Sequence, residues 1–120
     1  MKILLVDDDP MAAAMSAAIL EDLGHDILLA EDGMDAIEQI NAHPDLHLIV
    51  SDMHMPLVSG IDLFRELREQ GNMLPFILLT GDEPAPLLAQ EPRLDGCLTK
   101  DFSLQESLPA LIAQVLQSHR

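Results

Sequence analysis

Short apolar runs alternate with longer amphipathic stretches along the whole chain. Residues 3–6 (Ile-Leu-Leu-Val) form an apolar run halted by Asp7, Asp8 and Asp9, the pattern of a buried strand. Asp9 followed by Pro10 predicts a helix start, with an N-cap aspartate and a proline at the first helical position. Met11, Met15, Ala18 and Ile19 then recur at helical spacing until Gly24. Residues 27–30 predict a second strand, and Met34, Ile37 and Ile40 a second helix closed by Pro44. Residues 46–50, interrupted only by His47, predict a third strand. Gly60, Leu63, Phe64 and Leu67 mark a third helix, with Arg65, Glu66, Arg68 and Glu69 on its wet side. Pro75 leads into a fourth strand over 76–79, where a proline at the first position is tolerated. Residues 94–98 predict a weak fifth strand, and Leu104, Leu108, Leu111, Ile112 and Val115 a last helix.

Two stretches are irregular. Residues 82–92 contain Pro84, Pro86 and Pro92, which limit any helix there to about two turns. Ser103 and Glu106 have capping-box spacing at the start of the last helix, whereas Pro109 predicts a kink or a late start at Ser107. Strands alternating with helices predict an α/β domain with a parallel sheet covered on both faces. With 120 residues and no linker, repeat or low-complexity segment, residues 1–120 read as one domain.

Composition narrows the picture. Hydrophobic residues make up 48% of the chain, too many for an acidic disordered tail. Without Trp or Tyr and with only three Phe, the core must be mostly aliphatic. Six basic against 21 acidic residues give a net charge of −15, which argues against docking on nucleic-acid phosphates or an anionic membrane. The single cysteine, Cys97, excludes an internal disulfide and a Cys-rich zinc site. No apolar run approaches a membrane span, and the N-terminal run is too short for a signal peptide. A cytoplasmic protein is the expectation.

In an open parallel sheet, ligands bind beyond the carboxyl ends of the strands. The residues that follow the predicted strands are Asp7, Asp8 and Asp9, then Ser51 and Asp52, then Thr80, then Thr99 and Lys100. This topology would bring carboxylates, a hydroxyl and an ammonium to one sheet edge. Carboxylates about 4 Å apart repel by about 4 kcal/mol per pair at an effective dielectric of 20, so they call for a cation. Hard oxygens suit Mg²⁺, which favours phosphate oxygens as further ligands. An aspartate beside Mg²⁺ and a lysine can attack phosphorus and form an acyl phosphate. Taken singly these residues have plainer readings: Asp9 as an N-cap, Asp7 and Asp8 as a solvated loop, Thr80 as an ordinary strand end. The conjunction after four strands favours the functional reading.

The segments Ile3-Leu4-Leu5-Val6-Asp7-Asp8-Asp9-Pro10, Asp52-Met53-His54-Met55-Pro56 with Gly60, Leu78-Leu79-Thr80 and Leu98-Thr99-Lys100 resemble, in order and spacing, the receiver domain of bacterial two-component response regulators. The resemblance spans essentially the whole chain. It implies a flavodoxin-like five-stranded parallel sheet of order 2-1-3-4-5 with helices on both faces. It implies that Asp52 is the phosphoacceptor, taking phosphate from a sensor histidine kinase or phosphotransfer protein. It also implies Mg²⁺ held by Asp7, Asp8, Asp52 and the backbone carbonyl of His54. Thr80 would be the switch hydroxyl, and Lys100 the phosphate-pairing lysine. The protein would then catalyse only its own phosphorylation and dephosphorylation. Output would pass by protein contact, to a separate protein or to a missing C-terminal effector domain. Met1 opening into the first strand fits both a complete regulator and the first domain of a longer one.

Three positions depart from the family. Cys97 replaces the usual Phe or Tyr before the lysine, which puts the aromatic switch in doubt. Asp101 replaces the usual cis-bonded proline after the lysine, and a cis bond to a non-proline costs about 2.5–4 kcal/mol, so a trans bond is expected. The segment between Thr80 and Lys100 is short and proline-rich. Cys97 and Asp101 support an alternative, a degenerate receiver acting as a phosphate-independent interaction module, which the intact Asp7, Asp8, Asp52, Thr80 and Lys100 oppose. A haloacid-dehalogenase-type phosphatase, with Asp7 and Asp9 as its paired carboxylates, is a third reading, opposed by Pro10 and by the lack of a cap domain. His43 and His47 have helical metal-pair spacing, but Pro44 between them breaks the helix. Met53 and Met55 are read as packing residues, the His54 side chain as exposed, and Cys97 as a small buried residue rather than an activated thiol.

Overall fold

A computed structural model describes residues 1–101 and 103–118. Ten elements alternate strictly: β1 (Lys2–Val6), α1 (Pro10–Asp22), β2 (Asp26–Ala30), α2 (Gly33–Ala42), β3 (Leu48–Asp52), α3 (Gly60–Glu69), β4 (Phe76–Thr80), α4 (Pro84–Gln90), β5 (Gly96–Thr99) and α5 (Leu104–Ser118). The strands form one parallel sheet in the order β2-β1-β3-β4-β5. This is the α/β architecture implied by the sequence, in the flavodoxin-like order.

Side-chain alternation along each strand sorts the core into two layers. Leu4, Val6, Ile49, Phe76 and Leu78 point to one face, where they pack with Ala36 and Ile40 of α2 and Leu63, Phe64 and Leu67 of α3. Ile3, Leu5, Leu48, Val50, Ile77 and Leu79 point to the other, against Leu20 of α1 and Leu108, Ile112 and Val115 of α5. Each fully buried aliphatic chain contributes about 1.5–3 kcal/mol, so the scarcity of aromatics is no obstacle. Among the described residues, Phe64 and Phe76 form an aromatic pair that meets edge to face at 5.3 Å and 73°.

Three boundaries differ from the sequence reading. β3 runs from Leu48 to Asp52, two residues later than expected. Leu46 is buried but belongs to the preceding turn, with its N–H on the His43 carbonyl; the ladder with β1 begins at Ile3 and Leu48. β5 is likewise Gly96–Thr99, because Leu94 N–H is taken by Glu91 O and Asp95 N–H by Phe76 O. α5 starts at Leu104 and carries Pro109 inside it, so the late start is not found. The Asp101 carbonyl accepts from Leu104 N, and the Ser103 carbonyl accepts from Glu106 N and Ser107 N, so the first turn is closed before the proline arrives. The capping box is also replaced: Ser103 Oγ donates to Asp101 Oδ1. The expected helix end near Arg120 lies outside the described residues.

Four local expectations hold. Asp9 Oδ1 accepts from Met11 N and caps α1. α4 has seven residues, about two turns. Among the described residues no peptide bond is cis, so Lys100–Asp101 is trans. His43 and His47 lie beyond the end of α2, and both take donors from Lys2: the His47 ring accepts the Lys2 N–H at 3.2 Å, and His43 Nδ1 lies 3.3 Å from Lys2 Nζ.

Candidate functional site

Four strand ends build one acidic cleft. The cleft forms at the switch in strand order, where β1 neighbours both β2 and β3. Asp7 follows β1, Asp52 is the last residue of β3, and Thr80 and Thr99 end β4 and β5, with Lys100 directly after. Ser51 and Asp52 lie within β3, so the polar residues complete the ladder rather than trail it.

Single carboxylate oxygens of Asp7, Asp8 and Asp52 lie within 4.8 Å of one another. Asp7 and Asp52 are nearly buried, at 5% and 7% exposure, whereas Asp8 faces solvent. Lys100 Nζ bridges the buried pair, 2.8 Å from Asp7 Oδ2 and 3.1 Å from Asp52 Oδ1. The remaining oxygen of Asp7, Oδ1, accepts from Asp9 N at 3.0 Å. Burial raises the Asp52 carboxyl above its ordinary value; Lys100 opposes this, and Asp7 and Asp8 add to it. Burial lowers the Lys100 ammonium, but its hydrogen bonds to Asp7 and Asp52 outweigh that and hold it above its ordinary value. Three hard oxygen donors carrying excess negative charge at this spacing fit a divalent cation with oxygen preference, as Mg²⁺ has.

Thr80 is fully buried, and its Oγ1 accepts from Asp82 N at 3.1 Å. This tie to the β4–α4 loop was not legible in the sequence, because a hydroxyl at a strand end has many possible partners. Thr99 shares the edge, in register with Thr80. Asp9 caps α1 and is not among the three converging carboxylates. Ser51 Oγ donates to the Asp52 carbonyl at 3.0 Å and is enclosed within the sheet.

The β3–α3 loop shapes the cleft's rim. Met53 N–H continues the ladder onto Leu79 O, and Gly60 N–H closes the loop onto Met53 O. A Cβ on Gly60 would meet the Asp52 carbonyl oxygen at 2.5 Å and also the Leu78 side chain, so only glycine fits there. Met53 and Met55 pack against the core. The His54 side chain is exposed, with Nε2 3.3 Å from Asp82 Oδ2. Cys97 is buried, and burial pushes its thiol up to about 11, the reverse of an activated cysteine.

Known proteins share this framework. The chain matches the response regulator receiver domain family over residues 3–112. It is 36% identical over 108 residues to the alkaline phosphatase synthesis transcriptional regulatory protein PhoP of Bacillus subtilis, a match covering 88% of this chain and 44% of PhoP. It is 36% identical over 120 residues to the transcriptional regulatory protein CpxR of Escherichia coli K12, covering 98% of this chain and 50% of CpxR. The chain therefore spans about half the length of these relatives. Among solved structures it is similar to the receiver domain of the Francisella response regulator 1452, at 30% identity and a TM-score of 0.85, covering 98% of both chains. The fold is also that of the Thermotoga maritima response regulator TrrA, solved in complex with Mg²⁺ and BeF, at 24% identity and a TM-score of 0.80, covering 95% of this chain and 97% of that one. By sequence match, strand order and the architecture of its cleft, this chain belongs to the response regulator receiver domain family.

Proposed function

We propose that this receiver domain accepts a phosphoryl group on Asp52 in a Mg²⁺-dependent reaction and signals through the change in shape that follows. The donor is the phosphohistidine of a sensor kinase or phosphotransfer protein. The observation that carries this reading is the convergence of Asp7, Asp8 and Asp52 on one point, with Lys100 on only one oxygen of Asp52.

Lys100 holds Asp52 Oδ1 and fixes the carboxylate's orientation. The other oxygen, Oδ2, has no hydrogen-bond partner among the described residues, and no buried side-chain polar atom there lacks one, so Oδ2 reaches solvent. A lone pair on Oδ2 attacks phosphorus in line with the bond from phosphorus to the donor imidazole. As the new O–P bond forms, the P–N bond breaks and its electron pair returns to the imidazole nitrogen. Lys100 then turns from the carboxylate to a phosphoryl oxygen. Thr80 Oγ1 accepts from Asp82 N; on leaving that bond, its hydroxyl turns to donate its hydrogen to another phosphoryl oxygen. Asp7, Asp8, Asp52 and the His54 backbone carbonyl would hold Mg²⁺, which when bound neutralises charge on the transferring group.

The domain turns over no separate substrate; it catalyses only its own phosphorylation and dephosphorylation. Output passes by protein contact, to an effector domain in the same chain or to a separate protein. Among the described residues no helix is long and apolar enough to cross a membrane, and we place the exchange in the cytoplasm. The test is to incubate the protein with Mg²⁺ and acetyl phosphate, reduce with borohydride and map peptides. An acyl phosphate on aspartate becomes homoserine, expected at position 52; homoserine at another aspartate contradicts the assignment.

A further inference from the structure

α4 is held in an unusual way. None of its seven residues is fully buried, and Leu87 and Leu88 only lean on the core. Its first turn carries Pro84 and Pro86, and its N-cap Glu83 makes no side-chain cap bond. Apolar packing alone therefore fixes its position weakly.

The side-chain ties sit at its two ends: Arg65 Nη2 donates to the carbonyl of Gln90, the last helical residue, at 3.4 Å, and the others lie just beyond. In front, Asp82 N–H donates to Thr80 Oγ1 at 3.1 Å. Behind, Glu91 is only 4% exposed, and its carboxylate accepts from three side-chain N–H groups. Arg65 Nε of α3 reaches Oε1 at 3.1 Å. Arg93 reaches both oxygens at 2.9 Å, and its backbone N–H adds a bond to Oε2 at 3.3 Å. The arginines stand on firm ground: the Arg93 guanidinium lies 5.5 Å from the Phe64 ring centroid, and α3 is anchored in the core through Phe64 and Leu67.

We propose that Glu91 is a positioning residue: clasped by Arg65 and Arg93, it fixes the far end of α4 and thereby keeps the Asp82 N–H on the Thr80 hydroxyl. The clasp then sets how readily Thr80 is released to meet a phosphoryl group. This rests on the phosphoacceptor reading for its consequence but not for its geometry. A charge-assisted network of this kind is worth more than a neutral one, and removing its central carboxylate takes this partner from Arg93 and leaves Arg65 the longer bond to the Gln90 carbonyl. The seven-residue helix then pivots with only two half-buried leucines to restrain it.

The experiment measures amide hydrogen exchange at Asp82 in the unphosphorylated protein, followed by the rate of adduct formation with Mg²⁺ and acetyl phosphate. Three variants are compared: Glu91→Gln, Arg93→Gln and, as a remote destabilised control, Ile40→Ala in α2. Opening the clasp is expected to speed Asp82 exchange about tenfold in both clasp variants, and to raise the adduct rate in the same rank order. Ile40→Ala should lower global stability without that local effect. Arg93 is largely exposed, so its variant keeps the test open if Glu91→Gln does not fold. Unchanged Asp82 exchange in the clasp variants, or equal acceleration by Ile40→Ala, overturns the proposal. If exchange responds but no variant or wild type takes phosphate, the clasp stands and the phosphoacceptor reading fails.

Discussion

Lys100 Nζ lies 2.8 Å from Asp7 Oδ2, joining residues 93 positions apart in sequence at the mouth of the sheet. The same ammonium reaches Asp52, so one cation serves two nearly buried carboxylates. Replacing it by a neutral chain of similar length leaves both acids without compensation. Lys100→Met should lose about 1–3 kcal/mol of stability in metal-free buffer at pH 7, below the full cost of a deeply buried pair because the site opens to solvent. Millimolar Mg²⁺ should recover part of that loss. Urea unfolding with EDTA and with Mg²⁺ measures both, and wild-type stability in EDTA would count against the convergence of charge.

Asp8 gives the opposite sign. It is exposed, yet one of its oxygens lies within 4.8 Å of those of Asp7 and Asp52. At such a separation, repulsion of about 1 kcal/mol survives even at the dielectric of water. Asp8→Asn should therefore be more stable than wild type without metal by about 1 kcal/mol, or about 4 °C in melting temperature for a chain of this size. It should also lose most of the wild-type response to Mg²⁺, which reaches about 2.7 kcal/mol at 100 times the dissociation constant. A variant clearly less stable than wild type in EDTA would contradict this.

Gly60 links the core to the cleft. An added Cβ would press on the Asp52 carbonyl oxygen and on Leu78, both held in the sheet. Gly60→Ala should cost about 1–3 kcal/mol, as overpacking does, and should slow adduct formation by shifting Asp52. Melting and adduct kinetics on the same preparation check this. A variant with unchanged melting and unchanged rate would show that the loop yields without moving Asp52.

The pH response of the clasp has a definite sign. The Arg93 hydrogen bond, opposed by burial and helped by Arg65, lowers the Glu91 carboxyl to about 2 from an ordinary value of 4.5. Its folded value lies below its unfolded one, so its contribution is present above about 4.5 and is lost as pH falls towards 2. Wild type should therefore lose more stability than Glu91→Gln between pH 5 and pH 2. Parallel acid limbs in chemical denaturation would contradict the pairing of this carboxylate with Arg93 and Arg65.

Most of the architecture was legible because the two periodicities were clean. Runs such as Leu-Leu-Val before Asp7 and stripes such as Leu63, Phe64 and Leu67 leave little choice of element. The errors fell where hydrophobicity and hydrogen bonding part company. Leu46 is apolar and buried yet sits in a turn, while Ser51 and Asp52 are polar yet pair with Leu78 and Leu79. The late start at Ser107 fails because the closure of the first turn of α5 by Asp101 and Ser103 is local chemistry that periodicity does not register. At the cleft, the residues that converge were nameable from their order along the chain. Their pairings were not: Lys100 had 21 acids to choose from, and the Asp82 tie to Thr80 and the Glu91 clasp depend on how α4 lies.

The central claim is that Asp52 accepts phosphate. Intact mass after incubation with Mg²⁺ and acetyl phosphate tests it most directly, with Asp52→Asn measured beside wild type. One phosphoryl adduct on wild type and none on Asp52→Asn is the predicted result. No adduct on wild type at neutral pH with several phosphodonors, or an equal adduct on both proteins, would contradict the account.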